Sequence, residues 1–356
     1  MREIIRAIGE WSAQGEPVAV ATVIEAWGSA PRGVGAKMAF TPSHRIVGSV
    51  SGGCVEGAVF TAGLDTLATG RPQLLRFGVA DETAFETVGL ACGGNIAVFV
   101  EPLTSALQAF WQRVFAHDLA AATATVVHGP EVWLGYKLML DARGEVTSLA
   151  GAARAPEVDA ALLAAARAAL REGMSRQVEL LTADGLQLTA FVEALLPPPT
   201  LVIVGGAHIA IALTTLAKTM GYRVIVVDPR SAFGNVARFP HADRIINLHP
   251  RQAFESLKMT RSTAVVALTH DAKLDDPALC IALTGPAFYV GALGGAKTRE
   301  ARRKRLAAAG LSEAQLNRLH SPIGLDIGAR TPEEIALATM AQIVAAYNAM
   351  AREGLR

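Results

Sequence analysis

The chain has 356 residues, enough for two domains of roughly 150 residues each. Hydrophobic residues make up 51% of it and charged residues 18%, which predicts sizeable buried cores and excludes a disordered or collagen-like chain. Thirty-three Lys and Arg against 32 Asp and Glu give a formal net charge of +1, so no overall positive field favours nucleic acid or an anionic membrane.

Export and membrane insertion are not expected from the sequence. It contains no stretch of about 20 mostly apolar residues, so no membrane span is predicted. The opening MREIIRAIGEW carries charges and lacks the apolar block of a secretion signal. Cys54, Cys92 and Cys280 form no CxxC pair and are too few for a disulfide framework. We therefore expect a cytoplasmic protein with reduced thiols.

The first half of the chain predicts a mixed α/β domain over residues 1–196. Its expected elements are a helix at 2–14, strands near 17–27, 37–40, 46–50 and 96–101, a helix after Gly53, a helix near 104–118, strands within 121–149 and a helix at 156–172. No internal repeat is apparent in the sequence.

Three prolines at 197–199 predict a stiff linker before a second domain at 200–356. Near-continuous apolar runs then alternate with helical patterns, which is typical of a Rossmann-like parallel sheet covered on both faces. Thr331, Pro332 and Glu334 predict the start of the last helix, with Thr331 as N-cap and Glu334 as its capping-box partner.

The segment GSAPRGVGAK, residues 28–37, follows a predicted strand and carries three glycines and two cations. Backbone amides in such a loop, with Arg32 and Lys37, suit a phosphate or a pterin. The alternative is a strand connection that needs glycine only for its turns.

The segment SVSGGCVEGAVF, residues 49–60, places Gly52, Gly53 and Cys54 before a helical pattern. If Cys54 lies in the first helical turn, amide dipoles there favour the thiolate. A thiolate can act as a nucleophile, a soft metal ligand or a persulfide acceptor. Glu56 is a candidate acid or base. The alternatives are a small buried cysteine and a glutamate that compensates the helix dipole.

LACGGNI, residues 90–96, repeats the pattern of a cysteine followed by two glycines, at Cys92, Gly93 and Gly94. Two separated thiols without further ligands do not predict a zinc site. Cys280 lies in an apolar helical pattern and is expected in the core.

The turn after the first post-linker strand keeps one glycine of a dinucleotide fingerprint, Gly205, and has Ala207 and Ala210 at the other two positions. Asp228 ends the next strand, where an acid that binds ribose would lie, and His208 is a candidate phosphate contact at the helix start. The pattern favours Rossmann topology more than it favours NAD binding.

Further polar residues follow later strands. Thr269, His270 and Asp271 come directly after one, and a glycine-rich turn with Lys297 and Arg299 follows the next. Ligands of open parallel sheets bind at these strand ends. The loop SPIGLDIGAR, residues 321–330, has no assigned role.

Taken together, these segments resemble the XdhC/CoxI family of accessory proteins for molybdenum hydroxylases. The resemblance rests on GSAPRGVGAKM, GSVSGGCVEGAV, ACGGNIAVFVEPL, VIVGGAHIA, VVDPRSAF, ALTHD and SPIGLDIGARTPEEIA, which occur in the family's order. It is weakest between about 104 and 196. The family usually reads Gly-x-Gly-His-x-Gly in the Rossmann turn, and this chain departs from that pattern.

The resemblance implies a maturation factor that binds molybdenum cofactor transiently and supports its sulfuration by a cysteine desulfurase. Such a factor inserts the cofactor into a hydroxylase of the xanthine dehydrogenase type. It further implies a homodimer and a Rossmann-like domain that binds a nucleotide such as NAD or ATP. The sulfur chemistry of molybdenum suits Cys54 as a metal contact made through the cofactor. The alternatives are an NAD(P)-dependent oxidoreductase and an assembly scaffold that holds no cofactor.

Overall fold

The structure, a computed structural model, describes residues 1–30, 32–78, 94–141, 143–149, 155–182 and 185–353. It divides into two compact units, Met1–Pro197 and Pro198–Arg356, with the division inside the triproline segment. Within the described ranges, no helix is both long enough and apolar enough to span a bilayer.

The first unit opens with a five-stranded antiparallel sheet. Its elements are α1 (Arg2–Ala13), β1 (Ala19–Trp27), β2 (Lys37–Phe40), β3 (Ile46–Gly48), α2 (Glu56–Thr69), β4 (Gln73–Phe77) and β5 (Asn95–Pro102). The strands pair in the order β3-β2-β1-β5-β4, and α2 packs on β5 and β1. The central strand β1 is buried along most of its length because its side chains are mainly Ala, Val and Ile.

A second antiparallel sheet follows in the same unit. Its elements are α3 (Ser105–Ala116), β6 (Ala121–His128), β7 (Lys137–Asp141), β8 (Val146–Leu149), α4 (Pro156–Glu172), β9 (Arg176–Leu181) and β10 (Gln187–Leu195). The strand order is β8-β7-β6-β10-β9, and α4 packs on β6 and β10. The order of helices and strands along the chain, and the order of strands in the sheet, are therefore the same as for the first sheet.

The first unit is an internal structural repeat, which corrects the expectation that the chain contains none. We call residues 2–102 the first repeat and residues 105–195 the second repeat. Three short sequence matches occupy equivalent strand positions: Ala-Thr-Val at 21–23 and 124–126, Gly-x-Lys at 35–37 and 135–137, and Phe-Val-Glu at 99–101 and 191–193. Gly35 and Gly135 have φ of 86° and 80°, the left-handed region that favours glycine.

Two reciprocal ion pairs join the repeats. Lys37 Nζ lies 2.8 Å from Glu193 Oε1, and Lys137 Nζ lies 3.0 Å from Glu101 Oε1. All four side chains are buried or nearly so. Each lysine also donates to a threonine on the central strand of its own repeat, either Thr22 or Thr125.

Apolar residues at equivalent positions complete the contact between the repeats. Ile24 and Val127 follow the matching Ala-Thr-Val segments, and Phe99 and Phe191 begin the matching Phe-Val-Glu segments; all four lie in one buried cluster. These apolar contacts and the two buried ion pairs are related by a twofold arrangement, and we call them the frame of the first unit.

The second unit contains a six-stranded parallel sheet. Its elements are β11 (Thr200–Val204), α5 (His208–Thr219), β12 (Arg223–Val227), β13 (Arg244–Ile246), α6 (Pro250–Glu255), β14 (Thr263–Ala267), α7 (Ala272–Thr284), β15 (Tyr289–Ala292), α8 (Ala296–Ala308), α9 (Glu313–Leu316), β16 (Leu319–His320) and α10 (Pro332–Glu353). The order is β13-β12-β11-β14-β15-β16, and two apolar clusters cover its two faces. The predicted fold class, a mixed α/β domain followed by a Rossmann-like domain, is confirmed.

The predicted start of the last helix is also confirmed. The Thr331 hydroxyl accepts from the Glu334 N–H at 3.2 Å, and the Glu334 carboxylate accepts from the Thr331 N–H at 3.0 Å. These reciprocal bonds satisfy amide groups that a helix start otherwise leaves without partners.

Candidate functional site

Cys54 lies on an exposed turn, not in the first turn of a helix as predicted. Helix α2 begins at Glu56 with Val55 as its N-cap, so Cys54 lies one residue before the cap. The thiol is free and exposed. Gly52 and Gly53 have φ of 80° and 125°, which the reversal of the chain before the helix requires. The turn therefore presents the thiol to solvent.

The Glu56 carboxylate organises this turn from within. Its Oε1 accepts from the Ser49 hydroxyl at 2.6 Å and from the N–H groups of Ser51 and Gly52 at 2.9 and 3.1 Å. Its Oε2 accepts from the Gly53 N–H at 2.9 Å and from the Ser51 hydroxyl. One carboxylate thus satisfies most of the polar groups between residues 49 and 53.

These hydrogen bonds determine the charge state of Glu56. Burial by itself raises the pKa of this carboxyl, but the bonds from Ser49 and Ser51 outweigh it and lower the pKa to about 2. The group stays ionised near neutral pH, and its oxygens are already occupied. The prediction that Glu56 is a catalytic acid or base is therefore not supported, and the residue holds the Cys54 turn in shape.

Arg32 lies beside the same turn, whereas Lys37 does not. Arg32 is exposed, and its Nε lies 3.4 Å from the Ser49 carbonyl oxygen, so the guanidinium and the Cys54 turn are neighbours. Lys37 is buried, and its ammonium is bound to Glu193 and Thr22. The prediction that Lys37 contacts a phosphate is thus opposed by an ion pair that leaves the ammonium inaccessible.

Gly94, which directly precedes β5, lies against the backbone of the loop that follows β1. A Cβ on Gly94 would lie 2.7 Å from the Ala30 nitrogen and 3.0 Å from the Trp27 carbonyl oxygen, so only glycine allows this approach. Cys92 and Gly93, the cysteine and first glycine of the second Cys-Gly-Gly pattern, lie outside the described residues.

Sequence reasoning missed Trp27, the last residue of β1. Its side chain is 50% exposed immediately before the glycine-rich loop, although the strand it ends is otherwise buried. Single exposed apolar side chains are common on protein surfaces, so it is the position of Trp27 before the loop that carries Arg32, and not its exposure, that makes it a candidate ligand contact. The signal in the sequence was a tryptophan directly preceding Gly28 at a predicted strand end.

The Rossmann turn keeps its glycine for steric reasons. Gly205 has φ of 104°, and a Cβ there would lie 2.6 Å from the Thr269 side chain. Helix α5 begins at His208, whose side chain is exposed, and Ala207 is its N-cap without a side-chain hydrogen bond. His208 is therefore accessible at a helix start, as predicted.

Asp228 is not open to a ribose. Its side chain is 0% exposed and accepts hydrogen bonds from the Gly206 N–H at 2.8 Å and from the N–H, Nε and Nη2 of Arg230 at 2.8 to 2.9 Å. Burial raises the pKa of Asp228, but the bonds from Arg230 and Gly206 leave it below the ordinary value. The prediction of a ribose contact is opposed because both oxygens already have protein partners.

The loop after β12 closes over the same turn. A Cβ on Gly206 would lie 2.4 Å from the Phe233 carbonyl oxygen, and Arg238 Nη2 donates to the Gly206 carbonyl at 3.1 Å. The backbone at Phe233 thus packs directly against Gly206, and any side chain at position 206 would collide with it.

Asp271 is a helix cap. Its Oδ1 accepts from the Lys273 N–H at 2.9 Å at the start of α7, which accounts for the carboxylate without a cofactor. Cys280 on α7, expected in the core, is only partly buried and packs against an apolar cluster. Among the described residues, no three His, Cys, Asp or Glu side chains converge on a metal position.

Comparisons with known proteins follow the same two-unit division. A model described as the XdhC and CoxI family matches residues 11–78, and a model described as the XdhC Rossmann domain matches residues 201–343. Together they span more than half of the chain.

Two relatives match over nearly the whole chain. A protein of Bacillus subtilis described as a probable subunit of xanthine dehydrogenase is 28% identical, over 92% of this chain and 93% of its own. The molybdenum cofactor insertion chaperone PaoD of Escherichia coli is 26% identical, over 96% of this chain and 87% of its own.

A solved structure shares the fold. The crystal structure of a protein described as a xanthine dehydrogenase from Bacillus halodurans aligns with a TM-score of 0.75 at 22% identity, covering 97% of this chain and 96% of that one. With both units matched by family models and the motifs in the family's order, the chain belongs to the XdhC and CoxI family.

Proposed function

We propose that this protein is an accessory chaperone that holds molybdenum cofactor, supports its sulfuration and inserts it into a hydroxylase of the xanthine dehydrogenase type. The descriptions of the two relatives, one a cofactor insertion chaperone and the other part of a xanthine dehydrogenase, support this role. In this role the cofactor is cargo, and the protein is a maturation factor.

The exposed Cys54 turn is the observation that carries the proposal. A chaperone for a molybdenum–sulfur group needs a soft ligand that is accessible and held in one geometry. Cys54 is exposed, and the hydrogen bonds to Glu56 fix the backbone that presents it. Cys54 is the residue that contacts the cargo at its metal or sulfur end.

Arg32 and Trp27 suit the organic part of the cargo. The exposed Arg32 guanidinium beside the turn matches a phosphate, which arginine binds through paired hydrogen bonds. The exposed Trp27 indole, at the start of the loop that carries Arg32, offers a face on which a flat pterin can stack. Glu56 acts through the turn as a positioning residue.

A cysteine desulfurase and the client hydroxylase are the protein partners in this proposal, and the working form is a homodimer in the cytoplasm. A reactive cargo gains from passing directly between proteins, because each transfer then avoids water. The alternative of an NAD(P)-dependent oxidoreductase is weakened by the closed Asp228 site.

The test compares Cys54→Ser with Cys280→Ser. Each full-length variant is purified from a molybdenum-replete host, analysed for metal and pterin, and added to apo-hydroxylase. We expect Cys54→Ser to fold normally, retain less cofactor and fail to activate the client, while Cys280→Ser matches the unmodified protein.

Two results would contradict this expectation in different ways. Full client activation by Cys54→Ser would remove Cys54 from the transfer step. Client activation by a protein that never carries pterin or metal would instead favour the scaffold that holds no cofactor.

A further inference from the structure

The loop between β12 and β13, residues 229–242, is held in one conformation by hydrogen bonds to the rest of the second unit. The Asn247 amide donates to the Gly234 carbonyl at 2.7 Å. Arg238 Nη2 donates to the Gly206 carbonyl at 3.1 Å. The loop is therefore fixed in position before any partner binds to it.

This fixed loop leaves apolar side chains exposed. Phe233 is 38% exposed and Val236 is 71% exposed. Leu248, which directly follows Asn247, is 47% exposed, and the bond from Asn247 to Gly234 brings it to the same region of the surface. Exposed apolar side chains that lie together, unlike single ones, mark a surface that another molecule covers.

Two arginines stack on the exposed aromatic ring. The guanidinium carbons of Arg230 and Arg238 lie 4.2 and 5.7 Å from the centroid of the Phe233 ring. Arg230 is held there because it donates two hydrogen bonds to the buried carboxylate of Asp228, and its side chain remains 46% exposed. Arginine and aromatic side chains are the residue types enriched where protein interfaces are tightest.

The charge of this region favours an acidic partner. Residues 229–242 contain two arginines and a histidine but no Asp or Glu. Asp243, which follows, is bound by Lys218 at 2.7 Å, and exposed Arg251 adds a cation three residues after Leu248. The second unit has 19 Lys and Arg against 12 Asp and Glu, whereas the first has 14 against 20. A partner that presents carboxylates is therefore attracted to this part of the second unit.

We propose that this region of the second unit is a docking surface for an acidic surface of the client hydroxylase. The docking surface consists of Phe233, Val236, Leu248, Arg230, Arg238 and Arg251. Its apolar side chains pack against the client, and its arginines pair with carboxylates around that contact.

The choice of the client rests on the proposed function. The residues assigned to the cargo, Cys54 and Arg32, lie in the first unit. They release the cargo during insertion, so the client needs a second contact that does not depend on the cargo. The apolar and acidic character of the partner follows from the docking surface itself.

Val236→Asp tests the apolar part of the docking surface. The side chain is mostly exposed, so its replacement should leave the fold intact. The new carboxylate removes an apolar contact and repels the acidic groups of the client. Leu181→Asp is the matched control, because Leu181 is 72% exposed and lies on β9 of the first unit.

Arg251→Gln tests the charge of the docking surface. The amide keeps most of the side chain and removes the positive charge. Loss of a charge at the rim of an interface mainly slows association. Arg299→Gln, at an exposed residue of α8 outside the docking surface, removes an equal charge from the same unit and is the control.

The measurement is biolayer interferometry of each full-length variant with purified apo-hydroxylase at about 50 and 300 mM NaCl. We expect Val236→Asp to weaken the affinity about tenfold or more, and Arg251→Gln to slow association about two- to fivefold at the lower salt concentration. Both controls should match the unmodified protein. All four variants should retain as much pterin and metal as the unmodified protein.

Equal affinities of Val236→Asp and Leu181→Asp for the client would overturn the docking surface. So would equal association rates of Arg251→Gln and Arg299→Gln, or no binding of the unmodified chain to apo-hydroxylase. If that chain still carried pterin and activated the client, the proposed function would stand without this surface. A chain that bound the client as expected but carried no pterin would contradict the cargo role alone.

Discussion

The two repeats of the first unit share a frame and differ in their loops. In the second repeat, the connection between β6 and β7 contains Trp133, which is buried and packs edge-on against Tyr136 at 5.3 Å. In the first repeat, the connection between β1 and β2 is a glycine-rich loop that starts beside exposed Trp27 and carries exposed Arg32. The second repeat buries the tryptophan of this connection, whereas the first repeat leaves the tryptophan at the start of its connection half exposed.

The thiols show the same asymmetry. Cys54 belongs to the first repeat, and residues 105–195 contain no cysteine. Because both repeats keep the Gly-x-Lys turn and the buried glutamate, the frame does not require the exposed loops of the first repeat. Loops that a stable frame does not need are the places where function is carried. The first repeat is therefore the one suited to cargo handling, and the second is suited to support.

The largest effect is expected from breaking the shared frame. Glu193→Gln leaves the buried Lys37 ammonium without a counter-charge, and Glu101→Gln does the same to Lys137. We expect each to lower the free energy of unfolding by about 3–5 kcal/mol. Urea unfolding followed by tryptophan fluorescence measures this, because all four tryptophans lie in the first unit.

The control is an exposed pair between the same two repeats. Arg71 and Glu131 lie 2.7 Å apart but are 72% and 68% exposed, so Glu131→Gln should cost at most about 1 kcal/mol. Equal losses of unfolding free energy in Glu193→Gln and Glu101→Gln would show that the two ion pairs are equivalent in energy as well as in position. A loss as small as that of Glu131→Gln would show that the ion pairs do not hold the repeats together.

A smaller effect is expected from Glu56→Gln, which alters only the first repeat. The amide keeps the shape but loses charged acceptors, so we expect a loss of about 1–3 kcal/mol at neutral pH. The folded-state pKa of Glu56, about 2, lies below its ordinary 4.5. The stability from this depressed pKa is complete above pH 4.5 and is lost as the pH falls toward 2.

The pH dependence of the stability difference shows whether the charge of Glu56, and not only the shape of its side chain, stabilises the turn. The difference in unfolding free energy between the unmodified protein and Glu56→Gln should be flat above about pH 5 and should narrow below pH 4.5. A difference for Glu56→Gln that stays constant down to about pH 2 would contradict the charged hydrogen-bond network.

Sequence patterns predicted the elements whose ends are marked by proline, glycine or capping residues. Helix α4 begins at Pro156 and ends at Glu172, as predicted, because proline at its start and Gly173 after it mark both ends. Strands β4 and β9 were missed because they are partly buried and lack clean alternation of apolar and polar residues. Strand β10 was missed because its Leu, Ala and Glu residues suit a helix equally well.

The candidate site was only partly predictable for a related reason. The two glycines pointed to a functional Cys54 but did not decide between an exposed and a buried thiol, and the partner of Lys37 lies 156 residues away in the chain. Local reasoning reads a lysine in a glycine-rich loop as accessible, and only the fold brings Glu193 to it. The repeat was hidden because its three matches are short and the loops between them differ in length.

The smallest effect on stability, and the sharpest test of the difference between the repeats, concerns Cys54 itself. Its thiol is exposed on a turn held by Glu56, so Cys54→Ser should change the free energy of unfolding by no more than about 0.5 kcal/mol.

Cys280 is half-buried, and burial together with Asp276 raises the pKa of its thiol. Alkylation proceeds through the thiolate, so iodoacetamide should modify Cys54 faster than Cys280, as followed by peptide mass spectrometry at about pH 7–8. Cys280→Ser should leave the rate at Cys54 unchanged. Equal rates at the two thiols, or a clear loss of stability in Cys54→Ser, would give Cys54 a packing role and remove the difference between the repeats. A thiol that reacts readily but contributes nothing to stability is one that the frame leaves free for cargo.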